Sequence, residues 1–268
     1  MTLKSPSRTS LTSIDRDTFF RIFDTQEGVL HSSERTLYPD PRNATELAVR
    51  AFTLLAQSRP GGITLVDGAF DIPHPSHSAY LRHVRAIGAA QYLQREGIRP
   101  TVDAIRSALA SRTTGLVVTL DADAKVAAKK GGLSAKGGAP RPIYPWVARA
   151  SQLLELSYTT NGTVQNTVDL VTVEGEPEHA GTPFETWLDL AELMKERGLL
   201  ETVVVFGEHS ATADEADNRG LKPIIIPEGQ LYSTNPQTDQ EWHSSDIARR
   251  VQGTPVANPI TRPDWHIL

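Results

Sequence analysis

Five short, continuously apolar runs rich in β-branched residues punctuate the chain: ITLVD from Ile63, TGLVVTL from Thr114, VDLVTVE from Val168, ETVVVFG from Glu201 and KPIIIPEG from Lys222. A strand with one wet face alternates apolar and polar positions, whereas one covered on both faces reads as an unbroken apolar run. The five runs therefore predict the strands of a buried parallel sheet. Stretches of helical period lie between them. Tyr80, Leu81, Val84 and Ile87 fall on one face of the first, and Phe184, Trp187, Leu188, Ala191 and Met194 stripe a later one that follows Thr182-Pro183 and stops at Gly198. Both stripes read as core.

This alternation defines the expected fold class: α/β, a Rossmann-like, doubly wound, parallel five-stranded sheet with helices on both faces, binding ligands beyond the carboxyl ends of its strands. Residues 61–252 carry the pattern, and three stretches fall outside it. Residues 1–60 form an N-terminal helical extension, with a polar leader, an apolar run around Phe19, Phe20, Ile22 and Phe23, and a helix from Ala44 to Gln57 capped by Asn43. This extension is expected to cover the sheet edge or to form a homodimer contact. A helical insert at about 91–111, containing TVDAIRSAL, lengthens the first crossover. Residues 253–268, with Pro255, Pro259, Pro263 and Trp265, read as an extended tail.

Composition narrows the function classes. The apolar fraction of 39% suits a packed core, and a net charge of -5 without a dense Lys/Arg block argues against a nucleic-acid or membrane surface. An anionic ligand must then be met locally. The opening MTLKSPSRTSLTSIDRD lacks the apolar core of a signal peptide, and no segment has the roughly 18 apolar residues of a membrane span, so a cytoplasmic location is expected. With no cysteine there is no disulfide, thiolate nucleophile or thiolate-bound zinc. The Asn-x-Thr triplets at Asn43 and Asn161 then carry no weight.

The chemistry concentrates in VDGAFDIPHPSHSAYL, residues 66–81. Here the first strand hands over to a helix: Gly68 stands in the turn, and His74 and His77 open the helix. A helix N-terminus presents N–H groups without intrahelical acceptors, and two imidazoles beside it can donate to phosphate oxygens, so the stretch reads as a phosphate cradle.

GAFDIPHPSHSAYL resembles the Gly-x-Phe-Asp-x-x-His-x-Gly-His signature of the cytidylyltransferase-like nucleotidylyltransferases. LVVTLDAD from Leu116, KGGAPRPIYPWVARASQLLEL from Lys136, VDLVTVEGEPEHAGTPFETWLDL, VVVFGEHS and HSSDIARRV from His243 are similar, in the family's order, to its later segments. The Lys-Gly…Arg-Pro-Ile…Arg-Ala part resembles heptose-phosphate adenylyltransferases, alongside the glycerol-phosphate and ethanolamine-phosphate cytidylyltransferase types. The likeness spans roughly residues 62–252. It implies an enzyme that joins ATP or CTP to a phosphorylated sugar, polyol or similar small molecule and releases pyrophosphate. It also implies site residues. His74, His77 and Lys136 would be catalytic. Gly68, Ala69, Phe70, Asp71, Gly207, Glu208, Ser244, Ser245 and Arg249 or Arg250 would bind nucleotide, and Lys125, Arg141 and Arg149 the acceptor phosphate. Magnesium would ride on the nucleotide phosphates with no direct protein ligand.

The chain departs from that pattern at Ser76, where glycine is usual, at Pro75, and at Glu208, where Asp is usual. These departures bear on the acceptor and leave two alternatives: a nucleotide-binding member without turnover, or an NMN-type or pantetheine-phosphate-type adenylyltransferase. Plainer readings compete residue by residue. His74, His77 and Asp71 would make a metal site, but that leaves Gly-x-Phe-Asp unexplained. KKGGLSAKGG alone reads as a solvated loop and lacks the ending of a P-loop, while Ser244 and Ser245 could be helix caps.

Overall fold

The computed structural model describes residues 41–130, 141–174, 187–206 and 211–226. In chain order they form α1 (Pro41–Ser58), β1 (Ile63–Gly68), α2 (Pro75–Arg95), α3 (Val102–Ala110), β2 (Gly115–Asp121), α4 (Asp123–Lys130) and α5 (Trp146–Glu155). A hairpin follows, β3 (Ser157–Thr160) and β4 (Thr163–Asn166), and then β5 (Leu170–Glu174), α6 (Trp187–Glu196), β6 (Thr202–Phe206), α7 (Ala211–Asn218) and β7 (Ile224–Ile226).

All five β-branched runs are strands of one sheet in the order β5-β2-β1-β6-β7, and every pairing is parallel. The fold is α/β and Rossmann-like. From β1 the chain builds outward through β2 and β5, then crosses to the other side of β1 for β6 and β7. The carboxyl end of β1 therefore faces the crevice where the strand order reverses. All seven residues of β2 are buried, as an unbroken apolar run requires.

Two glycines show how closely the helices approach. A methyl group at Gly88 of α2 would sit 2.5 Å from Thr64 Oγ1, and one at Gly115 would sit 3.2 Å from Leu55 of α1. Gly115 pairs with Ile63, the neighbour of Thr64, and successive strand residues point to opposite faces. The two helices thus touch opposite faces of the sheet. Ala51, Phe52 and Leu55 of α1 belong to the same apolar cluster as Leu65, Leu81, Leu120, Leu170 and Val204, so this helix is a layer of the core.

The helix expected over residues 44–57 begins earlier, at Pro41, and Asn43 lies inside it instead of capping it. Proline suits a first helical turn because its missing N–H has no intrahelical acceptor there. The stretch read as an insert at 91–111 divides into the last turn of α2 and a separate helix, α3, whose cap Thr101 accepts from Ala104 N at 3.2 Å. In α6, Trp187, Leu188, Ala191 and Met194 are buried as the stripe predicts, Leu190 is buried beside them, and Gly198 follows in a left-handed conformation at φ 67. Phe184 lies outside the described residues.

The β3–β4 hairpin has no counterpart in the sequence reading. Asn161 and Gly162 form its two-residue turn, both at positive φ (48 and 74), the twist that suits two strands folding back on each other. Its side chains close the end of α3: Gln165 Nε2 donates to Ala110 O at 2.6 Å, Tyr158 to Leu109 O and Thr160 to Arg106 O. Among the described residues, no helix is long and apolar enough to cross a membrane.

Candidate functional site

The site grows from the turn after β1. Phe70 holds a left-handed backbone at φ 41, which L residues other than Asn, Asp and Gly rarely adopt, and its ring folds back over Gly68. A methyl group at Gly68 would meet that ring at 2.7 Å, so glycine is required there by close approach. The Phe70 ring then meets His77 edge to face with centroids 5.0 Å apart, and stacks against Tyr80 at 6.4 Å. His74 and His77 stack on each other, centroids 3.7 Å apart and planes 26° from parallel. The turn thus fixes both imidazoles at the mouth of α2.

His74 is the N-cap of α2, extended at φ -142 and ψ 169, and its side chain makes no capping bond. Pro75 has no N–H. The first intrahelical donor is Ser78, which reaches His74 O at 3.2 Å, so the N–H groups of Ser76 and His77 lie ahead of the helical ladder. No acidic residue stands in the first turn. Aligned peptide dipoles leave this end of a 21-residue helix partially positive, without a side-chain acceptor from its cap. Beside it, the Ser76 hydroxyl is buried and has no hydrogen-bond partner.

Asp71 is bound to the segment before α5. It is 1% exposed, and its carboxylate accepts from Ile143 N at 2.8 Å, from Tyr144 N at 3.1 Å and from Arg141 Nε. It ties the segment before α5 to the β1 turn, and it holds Arg141 beside the site through an ion pair. Arg149, 0% exposed, is likewise an internal tie. Its guanidinium donates to Ala69 O, to Tyr144 O at 3.1 Å, to Asp121 O at 2.7 Å and to Asp123 at 2.8 Å, joining the ends of β1 and β2 to α5. Nε and both terminal nitrogens of Arg149 are so engaged, and the contact with an acceptor phosphate that the resemblance implies would use the one remaining N–H or give up one of these bonds.

A third group closes the sheet's carboxyl end. Asp121 and Glu174 are register partners on β2 and β5, and Lys125 of α4 lies 3.7 Å from Asp121 Oδ1 and 2.8 Å from Glu174 Oε1. Glu174 also accepts from Trp187 N at the start of α6. Burial, together with Asp121 and Asp67, pushes the Glu174 carboxyl up to about 8 despite the neighbouring Lys125. Lys125 is therefore engaged by two acidic side chains in this structure, and reaching a substrate phosphate would mean leaving them. Burial, and then Asp67, hold the Tyr80 phenol above its ordinary value, so it stays neutral.

The structure brings together Gly68, Ala69, Phe70, Asp71, His74, His77, Lys125, Arg141 and Arg149 around the carboxyl ends of β1 and β2. Lys136, Gly207, Glu208, Ser244, Ser245, Arg249 and Arg250 lie outside the described residues. The sequence reading missed Glu174. Its signal was present in two strand runs that each end in an acid, LVVTLD and VDLVTVE, which become neighbours only once the strands are paired in register.

No protein-family model matches the chain, and no curated protein matches it.

Proposed function

We propose that the protein is a nucleotidylyltransferase that joins CTP or ATP to a phosphorylated small molecule and releases pyrophosphate. The observation that carries this reading is the mouth of α2: a long helix without a capping acceptor, with two stacked imidazoles at its first turn, beyond the carboxyl end of β1 where the strand order reverses. An anionic group is what such a place stabilises.

In this reaction a phosphate oxygen of the acceptor attacks the α-phosphorus, a new P–O bond forms, the bond to the β-phosphate oxygen breaks, and pyrophosphate leaves with the electron pair. There is no covalent intermediate on the chain. Catalysis rests on positioning and on stabilising charge that grows on the phosphate oxygens. His74 and His77 serve that purpose as donors, with the helix N-terminus behind them. Asp71 and Arg149 act as positioning residues that set the 141–149 segment against the β1 turn.

The donor set at the α2 mouth consists of N–H, O–H and imidazole groups. Such a set fits a magnesium ion carried on the nucleotide, which would supply charge neutralisation there. The backbone N–H groups, the Ser76 hydroxyl and the imidazoles of His74 and His77 would hold the phosphate group itself.

A nucleotide-binding protein without turnover is the second reading. Two cations assigned to the acceptor, Lys125 and Arg141, are both engaged by acidic side chains of the protein, which favours it. Pyrophosphate release, screened over ATP and CTP against phosphorylated sugars and polyols, separates the two. Acceptor-dependent release supports the transferase, and saturable nucleotide binding with no release in any pairing supports the binder.

A further inference from the structure

We propose that Ser76 is a third ligand-binding side chain of this site, its hydroxyl donating to an anionic oxygen of a di- or polyphosphate beside His74 and His77. The proposal rests on reading the α2 mouth as a phosphate site. Ser76 is the second residue of the helix and only 9% exposed, yet its Oγ has no hydrogen-bond partner. Folded proteins rarely leave a buried hydroxyl unpaired without a ligand, water or catalytic role to explain it.

The usual local uses of a serine are closed at this position. Its own backbone is helical, so it is not an N-cap; that place belongs to His74. A serine inside a helix can turn back to the carbonyl four residues earlier, which here is that of Ile72, and the hydroxyl makes no such bond. Alanine or glycine would occupy the same space without burying a polar atom.

Direction supports the assignment. Every Cα–Cβ bond of an α-helix tilts toward the N-terminus, so the Ser76 Oγ starts from the side of the helix on which the leading N–H groups open. Pro75 supplies no N–H and the cap supplies no acceptor, so an arriving anion is the acceptor this turn lacks. A phosphate group, with several acceptor oxygens in tetrahedral array, can take the hydroxyl, the backbone N–H groups and the imidazoles together.

The test is calorimetric titration of inorganic pyrophosphate, with and without Mg²⁺, into the full chain and its Ser76→Ala, Ser76→Gly and His74→Ala variants, with melting curves recorded without ligand. The expected result is binding about tenfold weaker for Ser76→Ala and Ser76→Gly than for the parent, with an unchanged or higher melting temperature for Ser76→Ala because an unpaired buried hydroxyl is gone, and a lower one for Ser76→Gly because of the backbone freedom of glycine in a helix. Parental or tighter binding by both serine variants, with weakened binding by His74→Ala, would overturn the role of Ser76 and leave the phosphate site standing. A clear drop in the melting temperature of Ser76→Ala with unchanged affinity would make the hydroxyl structural and also overturn it. No pyrophosphate binding by the parent would bring down the phosphate reading itself and this proposal with it.

Discussion

His74 and Glu174 are both polar side chains at the carboxyl end of the sheet, and they were unequally visible in the sequence. The histidine pair is contiguous with its turn, so spacing alone exposed it. Glu174 acquires its meaning from Asp121 across the register and from Lys125, contacts that no linear pattern encodes. The same holds for Asp71, whose partners lie 70 to 73 residues away in sequence, and for the bond of Arg149 to Ala69, 80 residues away. His74→Ala should lower turnover on the order of a hundredfold, roughly 3 kcal/mol, while weakening nucleotide binding much less. A donor aimed at developing charge acts mainly in the transition state. Steady-state kinetics beside calorimetry reads that split, and near-parental turnover in a folded variant would remove His74 from the mechanism. For Glu174, the folded carboxyl titrates near 8 against an ordinary value of 4.5. Its neutral form therefore contributes stability that is fully present below about 4.5 and is lost as pH rises through about 8. Denaturant melts of the parent and Glu174→Gln across that window should show a flatter pH dependence in the variant, and parallel curves would contradict the assignment.

At the level of elements, the opposite end of the sheet is held by one carboxylate. Asp169, just before β5, pairs with Arg59 at 2.8 Å, Arg85 at 2.7 Å and Arg112 at 3.1 Å, and accepts from Leu116 N at 2.9 Å. These contacts fasten the segment after α1, the middle of α2 and the end of α3 to the starts of β2 and β5. Burial works to raise this carboxyl, but Arg85 and Arg59 outweigh it and hold it below the usual carboxylate range. Its contribution is present above the unfolded value near 3.8 and is lost as pH falls through the folded one. Asp169→Asn should destabilise the fold by about 3 to 5 kcal/mol, because it leaves three guanidinium groups around a neutral side chain. Urea unfolding measures this, and a loss under 1 kcal/mol would show that the arginines find other partners. In the sequence, Asp169 was merely the second letter of a strand run. The hairpin was legible in principle, through Asn161-Gly162, but its strands are short and only Thr160 and Gln165 are buried, so apolar runs do not reveal it.

Across the whole molecule, hydrophobic patterning carried the architecture: all five runs became strands of one parallel sheet, because a sheet covered on both faces stamps its strands plainly. Layer membership was less legible, since the amphipathic period of α1 marks a buried stripe without naming what covers it. Phe52 and Leu55 are both 0% exposed, and their burial against the sheet stabilises by roughly 3 to 6 kcal/mol together. A chain beginning at residue 61 should therefore be insoluble or melt far below the parent, whereas an equally stable, cooperatively folding product would make α1 an accessory. On the function proposed above, the mouth of α2 receives the phosphates of a nucleotide. Histidine-labelled protein, titrated with ATP or CTP and Mg²⁺ and followed by NMR of the imidazole resonances, tests it most directly, with His74→Asn and His77→Asn variants giving the assignments. The signals of His74 and His77 should shift together and saturably, while that of His83, exposed farther along the same helix, stays in place. Saturable nucleotide binding that leaves both His74 and His77 unmoved would contradict it.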